Sequence, residues 1–428
     1  MASLRRSLTR SAILCSFRPF RHLCIVILLF VGGLLYYHFF LLTTRNHLED
    51  PSYLGVDKCP ACYGTSLCEQ FGEGHFEFES YSRLRFLDFI NVKNVYFGRY
   101  LDKHHVILKK LAHNTELASF DKELCLEATQ QDTCEVARDI YKTKFSEVLR
   151  TEVFNGNQVG GLSDLVRCPS QRLLQKIWNG FKERQSRGFM ARDNKMMLMT
   201  TLAINPEPII LTIFPKSEGW PFPRYRGACG RFIVQEYIGK DLASYYKADW
   251  ETRLDIAYQV MKIAEQFTYN EQEFGLYMTD VSFDNFAIDE EGKVFVVDAE
   301  NIIVVDRRQI KEDAAPMWDQ RHQAFHDECQ KHPGCLTFSS EILCKRYHSD
   351  HNYYAVCHGI LGADDDDTIR QPGGLLHDIP STLNEKEQLE TLLLECKKPS
   401  KAYGRYEIAA ELLTLLAKLS GHETDEQR

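Results

Sequence analysis

The 428-residue sequence predicts an α+β protein, with strands in its first part and helices in its second, behind an N-terminal membrane anchor. Three observations support this prediction. Twenty mostly apolar residues follow a basic N-terminus, strand-like and helix-like patterns occupy different parts of the chain, and 44% of the residues are hydrophobic. A chain of this length and composition can bury the core of one large domain or two ordinary ones.

The predicted anchor is the run "LCIVILLFVGGLLYYHFFLL", residues 23–42, which only His38 interrupts. A helix of about twenty apolar residues spans a bilayer. Five arginines lie within residues 1–22. This excess predicts a cytosolic basic tail before the anchor and a luminal body after it. Because no small-residue cleavage site follows the run, we expect an uncleaved signal anchor, with secretion after a later cleavage as the alternative.

Twelve of the fourteen cysteines follow the anchor and would lie in an oxidising lumen. Such cysteines normally form disulfides, but the sequence does not reveal which cysteines pair. Residues 46–75 are predicted to form a Cys-rich stem, with the cluster "CPACYGTSLC" at 59–68. A C-x-x-C spacing also occurs in zinc and redox sites. His75 makes no familiar ligand spacing with these cysteines, so disulfides are favoured.

The charges are unevenly distributed along the chain. Residues 1–45 contain six arginines and no acidic residue, whereas the whole chain has 51 basic and 60 acidic residues. The body after residue 45 is therefore strongly acidic, which argues against a basic groove that binds nucleic acid.

Strand patterns dominate residues 76–245. The segments "VKNVYFGRY" (92–100) and "HHVILKKL" (104–111) predict two strands joined by a short turn. A helix is predicted next, because Leu117, Phe120 and Leu124 recur at helical spacing. A polar, helix-rich insertion over about 125–205 follows. The runs "PIILTIF" (208–214) and "RFIVQEYIG" (231–239) are then typical of strands.

Residues 246–428 are predicted to be mainly helical. The segment "WETRLDIAYQVMKIAEQF" (250–267) places Leu254, Ala257, Val260, Met261 and Ala264 on one face of an amphipathic helix. The last predicted helix is "YEIAAELLTLLAKL" (406–419).

Between these helices, the stretch "LYMTDVSFDNFAIDEEGKVFVVDAEN" (276–301) combines short apolar strands with acidic and amide side chains. The runs "FAI" and "VFVV" flank the turn "DEEG" and predict a hairpin. Asn285 precedes the first strand and Asp298 follows the second, so both belong at one end of the hairpin, with Asp280 in the preceding loop. Oxygen donors gathered in this way suit a hard cation such as Mg²⁺ bound together with phosphate oxygens.

This stretch resembles the catalytic loop H-R-D-x-x-x-x-N and the following D-F-G of protein kinases. The resemblance implies that Asp280 is the catalytic aspartate and that Asn285 and Asp298 bind the metal. The run "VILK" (106–109) is similar to V-A-I-K. It implies that Lys109 holds the nucleotide phosphates, with Lys110 as the competing choice.

The same resemblance implies two further assignments. Glu116, in "NTEL", would be the helix glutamate that pairs with the strand lysine. The segment "QEYIG" (235–239) resembles the kinase hinge, so backbone groups near Glu236 and Ile238 would contact adenine. The implied cofactor is ATP with Mg²⁺ or Mn²⁺.

One family in particular is similar to most of residues 55–415. Its motifs are matched by "KCPACYGTS", "FLDFINVKNVYF", "NPEP", "CPSQRLL", "DVSFDNFA", "VDAEN" and "DHNYYAVC". The chain thus resembles the divergent protein kinase domain 2 family, and the 2A branch fits best because Asp280, Asn285 and Asp298 are retained.

The family resemblance implies a two-lobed protein-kinase-like fold. A small β-rich N-lobe would span residues 76–245 and a helical C-lobe residues 246–428. The resemblance also implies a single-pass type II protein of the Golgi membrane, or a secreted one, with a luminal or secreted protein as its substrate or receptor. The sequence leaves the oligomeric state open.

The sequence departs from ordinary kinases at several positions. No G-x-G-x-x-G loop precedes the strand lysine, and only Gly98 is present there. Met278 and Thr279 replace the His and Arg of H-R-D, and Ala299 and Glu300 replace the Phe and Gly of D-F-G. Two classes of function therefore remain: a metal-dependent luminal phosphotransferase, and an inactive pseudokinase that acts as a luminal scaffold or a secreted signalling ligand. Nucleotidyl transfer on the same fold is a third, since fold does not determine function.

Overall fold

The structure, a computed structural model, describes residues 25–37, 46–79, 94–101, 103–185, 190–325, 336–362 and 371–422. Its strands are β1 (Phe76–Phe78), β2 (Val95–Tyr100), β3 (His104–Lys109), β4 (Tyr225–Cys229), β5 (Phe232–Glu236), β6 (Lys240–Asp241), β7 (Phe274–Met278), β8 (Phe286–Ile288), β9 (Val294–Val296), β10 (Ile302–Asp306), β11 (Arg321–His322) and β12 (His348–Ser349).

Its helices are α1 (Ile25–Tyr37), α2 (Pro51–Leu54), α3 (Cys68–Gly72), α4 (Asn114–Thr129), α5 (Val136–Asp139), α6 (Gly156–Val159), α7 (Gln171–Gln185), α8 (Arg192–Ile204), α9 (Glu207–Ile213), α10 (Trp250–Thr268), α11 (Arg307–Asp313), α12 (Ser340–Lys345), α13 (His351–Val356), α14 (Lys386–Lys397) and α15 (Arg405–Ser420). Short 3-10 turns connect several of them.

The first five strands form one antiparallel sheet in the order β1-β2-β3-β5-β4, which is the centre of a small lobe. The predicted strand pair is confirmed as β2 and β3, which pair from Val95 opposite Lys109 to Tyr100 opposite His104. Leu108 points into the buried cluster of the small lobe. Side chains alternate along a strand, so Lys109, at the end of β3, is directed to the opposite face.

The Cys-rich segment packs directly on this sheet. The Cys68–Cys229 disulfide ties α3 to the end of β4, and a second disulfide joins Cys59 to Cys62. The Tyr63 amide also donates a hydrogen bond to the Gly230 carbonyl at 2.9 Å. Residues 46–79 are therefore built into the small lobe.

The expectation of disulfides is confirmed for the cysteines that the structure describes after the anchor. The remaining pairs are Cys125–Cys134, Cys168–Cys344 and Cys357–Cys396. Cys329 and Cys335 lie outside the described residues.

Gly230 stands where the Cys-rich segment approaches the β4–β5 turn. Its φ is +61°, and a Cβ there would lie 2.2 Å from the Leu54 carbonyl oxygen. We expect Gly230→Ala to lower the free energy of unfolding by about 2–3 kcal/mol, measured by urea denaturation. Gly219→Ala is the matched control, because Gly219 also has a positive φ of +83° but open space around it. Equal losses for the two variants would contradict the role of the close approach.

The chain between α4 and β4 contains α5 to α8 within the helix-rich insertion predicted over about 125–205, and α9 after it. The strand predicted for "PIILTIF" is wrong, because residues 207–213 form helix α9. Pro208 lies in the first turn, where a proline is tolerated since the amide there has no acceptor within the helix. All the apolar side chains of this run are buried. A uniformly buried run shows no periodicity, so its pattern does not separate helix from strand.

The large lobe is organised around α10. Its buried face includes Leu254, Ala257, Val260, Met261 and Ala264, as predicted, and it packs against α13 and α15. Two small sheets, β6-β8-β9 and β7-β10, hold the loops beside the small lobe. The predicted hairpin is confirmed as β8 and β9, which pair antiparallel.

Of the predicted anchor, residues 25–37 form an apolar helix, and the basic tail and residues 23–24 and 38–42 lie outside the described residues. Within the part of the chain that the structure describes, no single helix has both the length and the apolarity of a membrane span. A bent pair, Arg192–Ile204 with Glu207–Glu218, meets these requirements by length and composition.

Candidate active site

Lys109 is a buried lysine that connects the two lobes. Its Nζ donates to the Val297 carbonyl oxygen and to Oε1 of Glu207, each at 2.7 Å. Only 8% of the residue is exposed. The neighbouring Lys110 directs its Nζ to Oδ1 of Asn114. Of the two candidate lysines, Lys109 is therefore the one that contacts the residue next to Asp298.

The partner of Lys109 is Glu207, the first residue of α9. Asn205 holds this glutamate in place, because its Oδ1 accepts a hydrogen bond from the Glu207 amide at 3.0 Å. The prediction that Glu116 pairs with the lysine is wrong. Glu116 lies in the first turn of α4, where its carboxylate accepts from the His113 amide at 2.6 Å and completes a capping box. The glutamate thus comes from the helix that follows the insertion, 98 positions after the lysine.

Asp280, Asn285 and Asp298 meet beside this ion pair. Nδ2 of Asn285 donates to the Asp280 carbonyl oxygen at 3.2 Å, which closes the loop between β7 and β8. The Asn285 carbonyl in turn accepts from the Val297 amide at 2.9 Å, which places Asn285 next to Asp298 at one end of the hairpin. Asn285 is buried, whereas Asp280 is exposed. The main chain of Asn285 thus lies beside Asp298 at the end of the hairpin, and its side chain contacts the main chain of Asp280.

Two cavities adjoin this cluster, and both Lys109 and Asp298 line each of them. The first, of about 470 Å³, lies between the small-lobe sheet and the β8–β9 hairpin. Its lining includes Glu236 and Ile238, which belong to the predicted hinge, and the apolar side chains of Phe97, Ile107 and Ala287. A cavity that combines apolar side chains with charged ones such as Lys109 and Asp298 has the chemistry of a site for a flat base that carries phosphates.

The second cavity, of about 750 Å³, contains the exposed Asp280. Glu207, Asp298 and Glu300 also line it, so most of its charged groups near Lys109 are carboxylates.

The carboxylates shape the electrostatics of the site. Burial acts to lower the pKa of Lys109, but Glu207, Asp298 and Glu300 outweigh it and raise that pKa above its usual value, so the lysine stays charged. Burial, followed by the Asp298 carboxylate, raises the pKa of Glu300 to about 7. Neighbouring carboxylates contribute to both shifts, so negative groups gather around Lys109. A nucleotide triphosphate would add more, which a divalent cation can offset.

The family model described as "Protein-kinase domain of FAM69" matches residues 199–399. The Divergent protein kinase domain 2A proteins of Xenopus tropicalis and Homo sapiens are each 46% identical to this chain over 88% of its length and 90% of theirs. The chain belongs to the divergent protein kinase domain 2 family. Divergent protein kinase domain 2B of Bos taurus is a more distant relative, 33% identical over 67% of this chain and 69% of that protein.

Among the described residues, no three Asp, Glu, His or Cys side chains lie close enough to hold a metal ion by themselves. The Asp298 carboxylate lines both cavities, and the amide oxygen of the neighbouring Asn285 is also a hard donor. Mg²⁺ is commonly bound by one or two carboxylates together with substrate phosphates, and this donor set fits that arrangement.

Two acidic residues of this divergent kinase domain, Glu207 and Glu300, were not predicted from the sequence to belong to the site. Glu207 lies in the motif "NPEP", where a charged residue between two prolines opens an apolar run. Glu300 replaces the glycine of D-F-G, and one of its carboxylate oxygens accepts a hydrogen bond from Nδ2 of Asn205. Asn205 therefore forms a hydrogen bond with each of the two glutamates. Its position directly before Pro206 is the sequence feature that could have indicated this role.

Proposed function

We propose that this protein is a secretory-pathway kinase that transfers phosphate from ATP to hydroxyl groups of luminal or secreted proteins with the help of Mg²⁺ or Mn²⁺. The observation that carries the proposal is the buried Lys109, bound to both Glu207 and the Val297 carbonyl at the junction of the two cavities. A lysine kept charged at such a junction is suited to hold nucleotide phosphates.

Each residue of the cluster has a proposed role. Lys109 holds the phosphates and Glu207 orients it, in the role first expected of Glu116. Asn285 and Asp298 hold the cation, which when bound neutralises charge on the transferring group. Asp280 positions or deprotonates the acceptor hydroxyl, and backbone groups near Glu236 and Ile238 bind adenine. Positioning and charge stabilisation supply most of the catalysis in phosphoryl transfer, so a kinase without a Gly-rich loop remains chemically reasonable.

The proposed location is the Golgi membrane, with residues 23–42 as a signal anchor and the body in the lumen, or the secreted state after cleavage. The five disulfides among the described residues support an oxidising compartment. The proposed partners are the membrane, through the anchor, and a luminal or secreted protein that acts as substrate or receptor. The acidic body favours a partner other than nucleic acid.

Thermal unfolding of the full-length protein tests this proposal. We expect ATP with Mn²⁺ or Mg²⁺ to raise Tm by several degrees and ATP alone to raise it much less. A ligand at about 100 times its Kd stabilises by about 2.7 kcal/mol. Asp298→Ala should remove the metal-dependent shift. Asp313→Ala, an exposed aspartate at the end of α11, is the matched control and should keep it.

The outcomes separate the candidate functions. The absence of a metal-dependent shift in the wild type would replace the kinase proposal by the pseudokinase one, a luminal scaffold or secreted ligand. The substitutions at Met278, Thr279 and Glu300 favour that second candidate. A shift without phosphate transfer to any protein would indicate a pseudokinase that binds nucleotide.

A further inference from the structure

The catalytic loop carries Met278 and Thr279 immediately before Asp280, and neither side chain is charged. In the β7–β10 pair, Met278 lies opposite Ile302 and Thr279 lies opposite Asn301, whose carbonyl accepts from the Thr279 amide at 3.0 Å. Residues of an antiparallel pair alternate between bonded and non-bonded positions. The amide and carbonyl of Met278 therefore point away from β10, into the core, where they require other partners.

Two adjacent side chains of α13 supply those partners. The Met278 amide donates to Oδ1 of Asn352 at 3.1 Å. Nε2 of His351 lies 2.8 Å from the Met278 carbonyl and donates to it. Both side chains are fully buried. Because Nε2 carries the proton and Nδ1 is buried without a partner, this imidazole is neutral, and burial lowers its pKa to about 4.

Asn352 also ties the loop to the rest of the large lobe. Its Nδ2 donates to the Leu276 carbonyl at 2.9 Å and to Oγ1 of Thr268, at the end of α10, at 3.1 Å. Asn352 therefore forms hydrogen bonds with the main-chain groups on the unpaired edge of β7, as a further strand would. It also joins that edge to the central helix α10.

The backbone is held on the other side of Met278 as well. Both the amide and Oγ1 of Thr279 donate to the Asn301 carbonyl, each at 3.0 Å. The Asp280 carbonyl accepts from Asn285, as described above. The main chain at Asp280 is thus fixed from three directions while its carboxylate stays exposed at the second cavity.

We propose that His351 and Asn352 are positioning residues for Asp280. Their hydrogen bonds to the main-chain amide and carbonyl of Met278 replace the His-Arg pair absent from positions 278 and 279. The inference rests on the proposed function for its catalytic consequence. In this proposal, the motif "DHNYYAVC" fixes the position and orientation of the loop that presents Asp280 to the acceptor. A group held within a fraction of an ångström contributes to rate through orientation, not through affinity for nucleotide.

The test compares full-length His351→Leu, His351→Gln and Asn352→Leu with the wild type. Two measurements are made on each: kcat for phosphate transfer to a hydroxyl-containing acceptor protein, and Kd for ATP with Mn²⁺. We expect both Leu variants to lose kcat by about tenfold or more, with Kd changed less than about twofold. His351→Gln retains an N–H donor and should recover most of the loss. Tyr354→Phe, which removes a hydroxyl from the same helix, is the control for general destabilisation and should match the wild type.

Hydrogen exchange at the Met278 amide provides a readout that does not depend on activity, so it still decides the matter if the wild type transfers no phosphate. The amide should be strongly protected in the wild type. Protection should fall in Asn352→Leu, with the change confined to residues 276–280. Unchanged protection, a loss spread over the whole lobe, or a parallel fall of kcat and nucleotide affinity would each overturn the positioning role. If the wild type binds ATP but transfers no phosphate, and Asn352→Leu loses protection only at 276–280, the proposed kinase function is contradicted. The structural part of this inference is then still supported.

Discussion

Replacement of Arg405 by Met is expected to lower the free energy of unfolding by about 3–5 kcal/mol, because it would leave a buried carboxylate without its counter-charge. Nη1 of Arg405 donates to Oδ2 of Asp350 at 2.6 Å, and both side chains are nearly inaccessible to solvent. The same guanidinium also donates to the carbonyl oxygens of Ala324, Cys396 and Lys397. A methionine fills much of the volume but makes none of these bonds, so several buried acceptors would lose their donor.

Urea denaturation of the full-length protein measures this loss. Lys418→Met is the matched control, since Lys418 pairs with Glu385 at 2.9 Å but is 66% exposed. An exposed pair contributes about 1 kcal/mol or less. The double variant Asp350→Leu with Arg405→Met should recover part of the stability, because it removes both buried charges. A loss below about 1 kcal/mol for Arg405→Met alone would show that the pair is not the anchor of α13 and α15 that its burial indicates.

Substitution of Glu207 by Gln is expected to reduce kcat/KM for phosphate transfer by about 10²-fold, a loss typical for removal of one preorganised charge from an active site. Glutamine has nearly the same shape and can still accept a hydrogen bond from Lys109. It removes the charge that holds the ammonium in its buried position, where burial alone would act to lower its pKa. Lys109 would then be less firmly placed and less able to hold the phosphates. Steady-state kinetics with varied ATP and saturating Mn²⁺ measure the effect.

Glu116→Gln is the matched control, because it makes the same chemical change at the helix position that the kinase resemblance favoured. Its carboxylate caps α4, so a loss of about 1 kcal/mol in stability is expected, with kcat/KM changed less than about twofold. If Glu116→Gln removed activity and Glu207→Gln did not, the assignment of the lysine's partner would have to be reversed. In a protein without transferase activity, the same pair of variants can be compared by Kd for ATP with Mn²⁺.

The elements whose pattern is local could be predicted from the amino-acid sequence. The β2–β3 pair, the amphipathic helix α10 and the β8–β9 hairpin all follow from periodicities of two or of about 3.6 residues over short segments. Because a hairpin places its two ends together, the approach of Asn285 to Asp298 was also predictable, and so was the position of Asp280 in the preceding loop.

Contacts between groups that are distant in the sequence depend on the complete fold and could not be predicted. Glu207 reaches Lys109 from 98 positions away, and His351 reaches the Met278 carbonyl from 73 positions away. The disulfide pairs and the helical state of the buried run 207–213 likewise depend on packing between remote segments. Local patterns record how a segment buries its own apolar side chains. The partner of a buried charge or amide is instead the remote group that the fold brings within hydrogen-bonding distance.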